Sequence, residues 1–187
     1  MSLVEKIAEV LSQRQRQGID PTGLSPAAVL VPLYRKRGEY HLLFTKRTQE
    51  VEYHKGQICF PGGGRHTEDE TLLDTALREA SEELGIHPQD VRILGELDEL
   101  STISSNYAIS PFVGIIPYPY PFKPNRREVA ELMEVPIAAL LEEGNSWQEV
   151  QASQGGPVTV YFYEYEGQVI WGATAKMLNQ FLGLVFG

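Results

Sequence analysis

Apolar and polar residues alternate along this chain with two different periods. In residues 2–17, Leu3, Ile7, Val10 and Leu11 recur on one side, which predicts an amphipathic helix. AAVLVPLY (27–34) and YHLLFTKR (40–47) are apolar runs joined by RKRGE, the pattern of two strands in a hairpin. A polar stretch at 48–56 follows. QICF (57–60) predicts a short strand leading into PGGG, read as a turn that glycine makes easy. Residues 68–84 return to the helical period. VRILGELDEL (91–100), YAISPFVGIIP (107–117) and EVAELMEVP (128–136) predict further strands, with a proline-rich loop, YPYPFKPN, between the last two. IAALLEEG (137–144) reads as a short helix. VTVYFYEYEGQVIWG (158–172) reads as one long strand or as a hairpin turning at Glu166–Gly167. TAKMLNQFLGLVF (174–186) closes the chain as an amphipathic helix whose FLGLVF end suits either the core or an interface. PTGLSP (21–26) is a linker, so residues 1–24 are expected to form an N-terminal helix and linker, and 25–187 the main domain. Strands and helices are intermixed, which predicts an α/β fold, and the hairpins require a mixed sheet.

Composition narrows the function classes. The chain has 187 residues, 42% of them hydrophobic, enough for one well-filled domain. A formal net charge of −9 repels polyanions, so nucleic acid is not the expected partner. A small anionic substrate stays compatible if a cation mediates. Cys59 is the single cysteine, so no internal disulfide forms, which fits a reducing compartment. The N-terminal helix is charged, unlike a signal peptide, and no apolar run approaches the roughly 20 residues that span a membrane. The expectation is a soluble cytoplasmic protein with no membrane partner.

One helix concentrates charge. Thr67 and Glu70 have the spacing of a capping box, and Glu68 and Asp69 add first-turn charge that the helix dipole favours. Gly85 stands where a left-handed C-cap is expected, and Pro88 prevents continuation. Between these ends Glu79, Glu82 and Glu83 fall within an arc of roughly 100°. Leu72, Leu73, Ala76, Leu77, Ala80 and Leu84 fill the adjoining, core-facing side. Like charges at i, i+4 oppose helix formation in water, and partial burial sharpens the repulsion. A solvated acidic face is one reading. The other is a site for Mg²⁺ or Mn²⁺, whose hardness suits carboxylate oxygens. Beside a glycine-rich backbone, such a cation would clamp a diphosphate.

The segment from Gly64 to Ile86 resembles the Nudix box, G-x5-E-x7-R-E-U-x-E-E-x-G-U, where U is a bulky aliphatic residue. Gly64, Glu70, Arg78, Glu79, Glu82, Glu83, Gly85 and Ile86 stand at the required positions, and Ala80 is smaller than the pattern asks. LFTKRTQEVEYHKGQICFPGG (43–63) is similar to the upstream motif of the coenzyme A pyrophosphatase branch. Leu43, Thr45, Arg47, Gly56 and Phe60 to Gly63 fit it; Phe44 and Thr48 are mild departures, and Glu52 reverses an arginine's charge. Residues 125–140 and 167–178 also look like this branch.

The resemblance implies a Nudix-type α/β/α sandwich with a mixed central sheet and the box as loop–helix–loop. It implies metal-dependent hydrolysis of a nucleoside diphosphate linked to another group. The implied substrate is coenzyme A or acyl-coenzyme A, giving 3′,5′-ADP and (acyl-)4′-phosphopantetheine. ADP-ribose or NADH is the alternative within the class, and a non-catalytic nucleotide-sensing module the alternative outside it.

Glu79, Glu82 and Glu83 are the implied ligands of Mg²⁺ or Mn²⁺, with the Gly64 carbonyl as a further ligand. Arg78 joins them at the catalytic centre, where an i, i+4 pair orients Glu82 unless it is only a surface ion pair. Glu70 is assigned to the capping box, with a place near the metal as the alternative. Arg47, His54, Lys55, Gly62 and Gly63 are candidates for substrate binding. Glu128 is a candidate proton acceptor from outside the box, or an ordinary glutamate at a strand start. Tyr107, Tyr118 and Tyr120 either stack on an adenine or pack, and Cys59 reads as a small buried residue. The expected partner is a small-molecule nucleotide, and a homodimer is left open.

Overall fold

A computed structural model of the chain describes residues 1–50, 55–102, 105–153 and 156–187. Helix α1 spans Leu3–Gln13, shorter than the periodicity predicts, and starts at Ser2, whose hydroxyl accepts from the Glu5 N–H. Strands β1 (Ser25–Lys36) and β2 (Glu39–Arg47) form the expected hairpin. β3 (Ile58–Cys59) and β4 (Gly62–Gly64) follow, and then helix α2 (Leu72–Leu84). The 91–100 segment is two strands, β5 (Arg92–Glu96) and β6 (Leu100–Ser101). β7 (Tyr107–Ile115) and β8 (Val129–Pro136) match expectation, as does the short helix α3 (Ile137–Leu141). Strand β9 (Ser146–Ser153) has no counterpart in the pattern reading, because its residues are exposed on both faces and carry no buried alternation. β10 (Gly156–Tyr165) and β11 (Gln168–Trp171) form the hairpin at Glu166–Gly167, and α4 (Gly172–Phe186) ends the chain.

Among the described residues the strands make a mixed eight-stranded sheet and a separate antiparallel sheet of β9, β10 and β11. The mixed character comes from β1, antiparallel to β2 and parallel to β7 along nine registered pairs from Ser25 to Leu33. β1 is apolar and buried from Ala27 to Tyr34 because both faces are covered there. Ala28 and Leu30 point to the cluster under α2, while Val29, Val31 and Leu33 point to the cluster under α1 and α4. This is the layered α/β/α arrangement. Val4, Ile7 and Leu11 of α1 pack in the same core as Phe181, Leu182 and Val185 of α4, so the apolar end of the C-terminal helix is core. No helix among the described residues is long and apolar enough to cross a membrane.

The feature that positions the site is a fork in the sheet. β1 and β2 pair only from Leu33 to Lys36 with Glu39 to Leu42. Beyond that they part. β3 pairs with Thr45 and Lys46 of β2, and β4 pairs with Ala27 to Val29 of β1. The glycine segment read as a turn is therefore a strand wedged into the fork. Its glycines serve a different purpose from the one expected. None of Gly62 to Gly64 has a positive φ. The need is for space: a Cβ on Gly62 would stand 2.4 Å from the Ala28 carbonyl oxygen, and one on Gly63 would stand 2.6 Å from the Glu79 carboxylate.

Gly62→Ala is expected to destabilise the fold by about 2 kcal/mol or more through this backbone clash. Chemical denaturation checks it. A loss below about 0.5 kcal/mol would mean that β4 has room to shift.

Candidate active site

The carboxylate helix starts later than its sequence suggests. The Thr67–Glu70 capping box does not form. Instead Thr71 caps α2, accepting from the Asp74 N–H, while the Asp74 carboxylate accepts from the Thr71 N–H. Both pairs have the right spacing; the choice falls on Thr71 because Asp69 is used elsewhere. Its carboxylate turns inward and accepts from the His66 N–H at 2.9 Å and the Thr75 hydroxyl at 2.9 Å. Glu70 is left exposed, and its backbone carbonyl accepts from Arg65. Gly85 is the left-handed C-cap expected of it, with φ of 70°.

Ala76, Ala80 and Leu84 of α2 are fully buried against Ala28, Leu30 and Leu43. The small Ala80 lets the helix lie close to the sheet. Glu83 is carried inward with this face and is 2% exposed; Glu79 is partly buried over Gly63; Glu82 stays exposed. The three glutamates thus sit at three depths along one helical arc.

Arg78 ties the site together. Its Nε donates to Asp69 Oδ1 at 3.0 Å, and Nη2 donates to Asp69 Oδ2 at 3.1 Å and to the Gly64 carbonyl at 2.9 Å. Nη1 donates to Glu79 at 2.8 Å and Glu82 at 3.1 Å. The i, i+4 pair to Glu82 is therefore one part of a larger cluster. Asp69 is the member that the sequence reading missed, having taken it for a helix-dipole residue. Its only advance signal is its place beside the box glutamate. The Arg78 guanidinium holds the Asp69 carboxyl well below the usual carboxylate range, and the His66 and Thr75 hydrogen bonds add to this.

Glu83 has a different environment. Burial pushes its pKa up to about 8; Arg47 opposes that shift, and the charges of Glu79 and Glu128 add to it. Burial also raises Glu79, against the pull of Arg78. Glu83 Oε2 is buried with no hydrogen-bond partner. Among the described residues no three acidic, cysteine or histidine side chains converge into a ready coordination shell. Glu79 and Glu82 lean on Arg78, and Glu83 leans on Arg47 and accepts from the Gly62 N–H. The donor set nonetheless suits a hard divalent cation: carboxylate oxygens, one of them buried and unpartnered, beside a carbonyl with a second lone pair.

The remaining candidates divide. Arg47 lies on the α2 side of β2, two residues from Thr45 and four from buried Leu43, with Nη1 3.6 Å from Glu83 Oε1. Glu128 is placed by Asn125, whose side-chain amide donates to it at 2.9 Å, while the Asn125 N–H caps the Glu83 carbonyl at 2.8 Å. Its charge acts on the Glu79 and Glu83 carboxylates of the box. Tyr107 borders Gly64. Tyr118 stacks on Tyr34, and Tyr120 donates to Asp90, so both are engaged in packing away from the carboxylates. Lys55 is exposed, and His54 and Glu52 lie outside the described residues. Burial raises the Cys59 thiol to about 11, which fits an inert packed side chain.

The family model of the NUDIX domain matches residues 24–154. A Yersinia enterocolitica protein described as the uncharacterized Nudix hydrolase NudL is 38% identical over 179 residues, covering 93% of this chain and 90% of that protein. NudL of Yersinia pestis is 41% identical over 153 residues, covering 82% and 76%. Among solved structures, a MutT/nudix family protein from Enterococcus faecalis aligns with TM-score 0.58 and 14% identity over 99% of this chain and 70% of that one. A C. elegans Ap4A hydrolase, in a binary complex, aligns with TM-score 0.52 and 17% identity over 62% and 82%. At these identities the structural likeness bears on the fold.

The Asp69–Arg78 pair makes a signed pH prediction. A carboxylate with a depressed pKa stabilises the fold above its ordinary value of 3.8, and that contribution fades as pH falls below it. Asp69→Asn is expected to cost about 3 kcal/mol near neutrality, with the gap from wild type narrowing below about pH 4. Urea denaturation between about pH 3 and 7 checks this. A gap that does not change with pH would mean that shape, not charge, makes Asp69 matter.

Proposed function

The chain belongs to the Nudix hydrolase family, and on that premise we propose that it cleaves the diphosphate bond of coenzyme A or an acyl-coenzyme A. The products are 3′,5′-ADP and (acyl-)4′-phosphopantetheine. One observation carries this reading. The segment that resembles the coenzyme A branch packs directly on the carboxylate helix, with Arg47 beside Glu83 and Gly63 beneath Glu79. Motif residues that precede the box in sequence thus border the same carboxylates.

Glu79, Glu82 and Glu83, with the Gly64 carbonyl, are the groups that would hold Mg²⁺ or Mn²⁺. Such ions neutralise phosphoryl charge and lower the pKa of a bound water. Arg78 gathers Glu79, Glu82 and the Gly64 carbonyl on one guanidinium, which keeps these groups near one another. Arg47 binds the diphosphate beside the Gly63 backbone, and Tyr107 flanks it. Glu128 or a box glutamate takes the proton from the attacking water.

The test is hydrolysis of coenzyme A, acetyl-coenzyme A, ADP-ribose and NADH with Mg²⁺, Mn²⁺ or chelator, products resolved by chromatography. Coenzyme A is expected to be cleaved only with metal. Preference for ADP-ribose or NADH would move the chain to that alternative. No turnover on any substrate would favour the nucleotide-sensing alternative. Glu82→Gln and Glu83→Gln are each expected to lower kcat by about a hundredfold or more, with far-ultraviolet circular dichroism unchanged. Turnover within about threefold of wild type in both variants would remove them from the catalytic centre.

A further inference from the structure

Whenever Glu83 is ionised it needs a counter-charge, because an ionised carboxylate buried without one costs several kcal/mol. In the structure that counter-charge is Arg47, and the pair is loose. The Nη1 to Oε1 distance of 3.6 Å exceeds the roughly 2.7–2.9 Å of a strong charge-assisted hydrogen bond. Both partners have unused valence. Glu83 Oε2 and Arg47 Nε are each buried, and neither has a hydrogen-bond partner. The carboxylate keeps an oxygen for a further cation, and the guanidinium keeps a donor for a further acceptor.

Arg78 shows what a fixed arginine looks like here. It spends all three nitrogens on Asp69, Gly64, Glu79 and Glu82. Among the described residues Arg47 has one distant ion pair; it sits at the end of β2, where its side chain is 23% exposed. A divalent ion on Glu83 would outweigh its attraction for a single positive charge and repel the guanidinium nearby. The planar guanidinium matches phosphate oxygens in pairs.

We propose that Arg47 is the internal counter-cation of Glu83, displaced when a divalent ion takes that carboxylate, and that the freed guanidinium then binds the substrate diphosphate. One side chain thereby couples metal binding to substrate binding, since metal arrival creates the phosphate-binding group. The inference rests on the reading of Glu83 as a metal ligand.

The test measures binding, not turnover. Mn²⁺ is titrated calorimetrically into wild type, Arg47→Gln, Arg47→Lys and Glu83→Gln, with thermal melts to confirm folding. Inorganic pyrophosphate is then titrated into each Mn²⁺-loaded protein. Arg47→Gln is expected to bind Mn²⁺ on the order of tenfold more tightly than wild type, the size of a typical coupling between sites, and pyrophosphate more weakly by a similar factor. Arg47→Lys, which keeps the charge, is expected to bind Mn²⁺ as wild type does. Equal or weaker Mn²⁺ binding by Arg47→Gln would overturn the counter-cation role, and unchanged pyrophosphate binding would overturn the handover. Mn²⁺ binding that survives in Glu83→Gln undiminished, or fails in wild type, would instead overturn the metal-ligand reading and this inference with it.

Discussion

The closeness of helix α2 to the sheet is the constraint on which the site depends. Glycine and alanine line both sides of the contact: Ala28, Gly62 and Gly63 below, Ala76 and Ala80 above. Larger residues would lift the helix. Because it lies close, Glu83 is drawn below the surface, Glu79 rests on the glycine strand, and the Gly64 carbonyl comes within reach of Arg78. The fork between β1 and β2 makes room for that strand, so sheet topology and helix placement are one solution to one packing problem.

Charge compensation is the second consequence. Burying carboxylates raises their pKa values and their energy, and the structure answers with two arginines of different character. Arg78 is locked by Asp69 and organises the partly exposed carboxylates. Arg47 leans on the most buried one without forming a close hydrogen bond. The network holds the carboxylates apart from one another while leaving oxygen atoms available, which is the condition for a site that admits cations without collapsing around its own positive groups.

The helix at 72–84, its glycine C-cap and the β1–β2 hairpin were legible because their signals are local: period, cap and turn all act over a few residues. The capping residue was not, since Thr67–Glu70 and Thr71–Asp74 have equivalent spacing and only the pull of Arg78 on Asp69 separates them. The role of PGGG was misread for a related reason. Glycine suits a free backbone and a crowded one equally well, and which applies depends on what lies across from it. Strand β9 escaped notice because a ribbon exposed on both faces leaves no alternation to detect.

By itself the sequence determined the family, the charge on α2 and which residues are proposed to bind a cation, because those reside in residue type and short spacing. Only the tertiary structure decided how deep each glutamate lies, which carboxylate anchors Arg78, and that the charges of Arg47 and Glu128 act on the box. Those depend on contacts between segments remote in the chain, and on a dielectric environment that exists only once the helix is seated on the glycine strand.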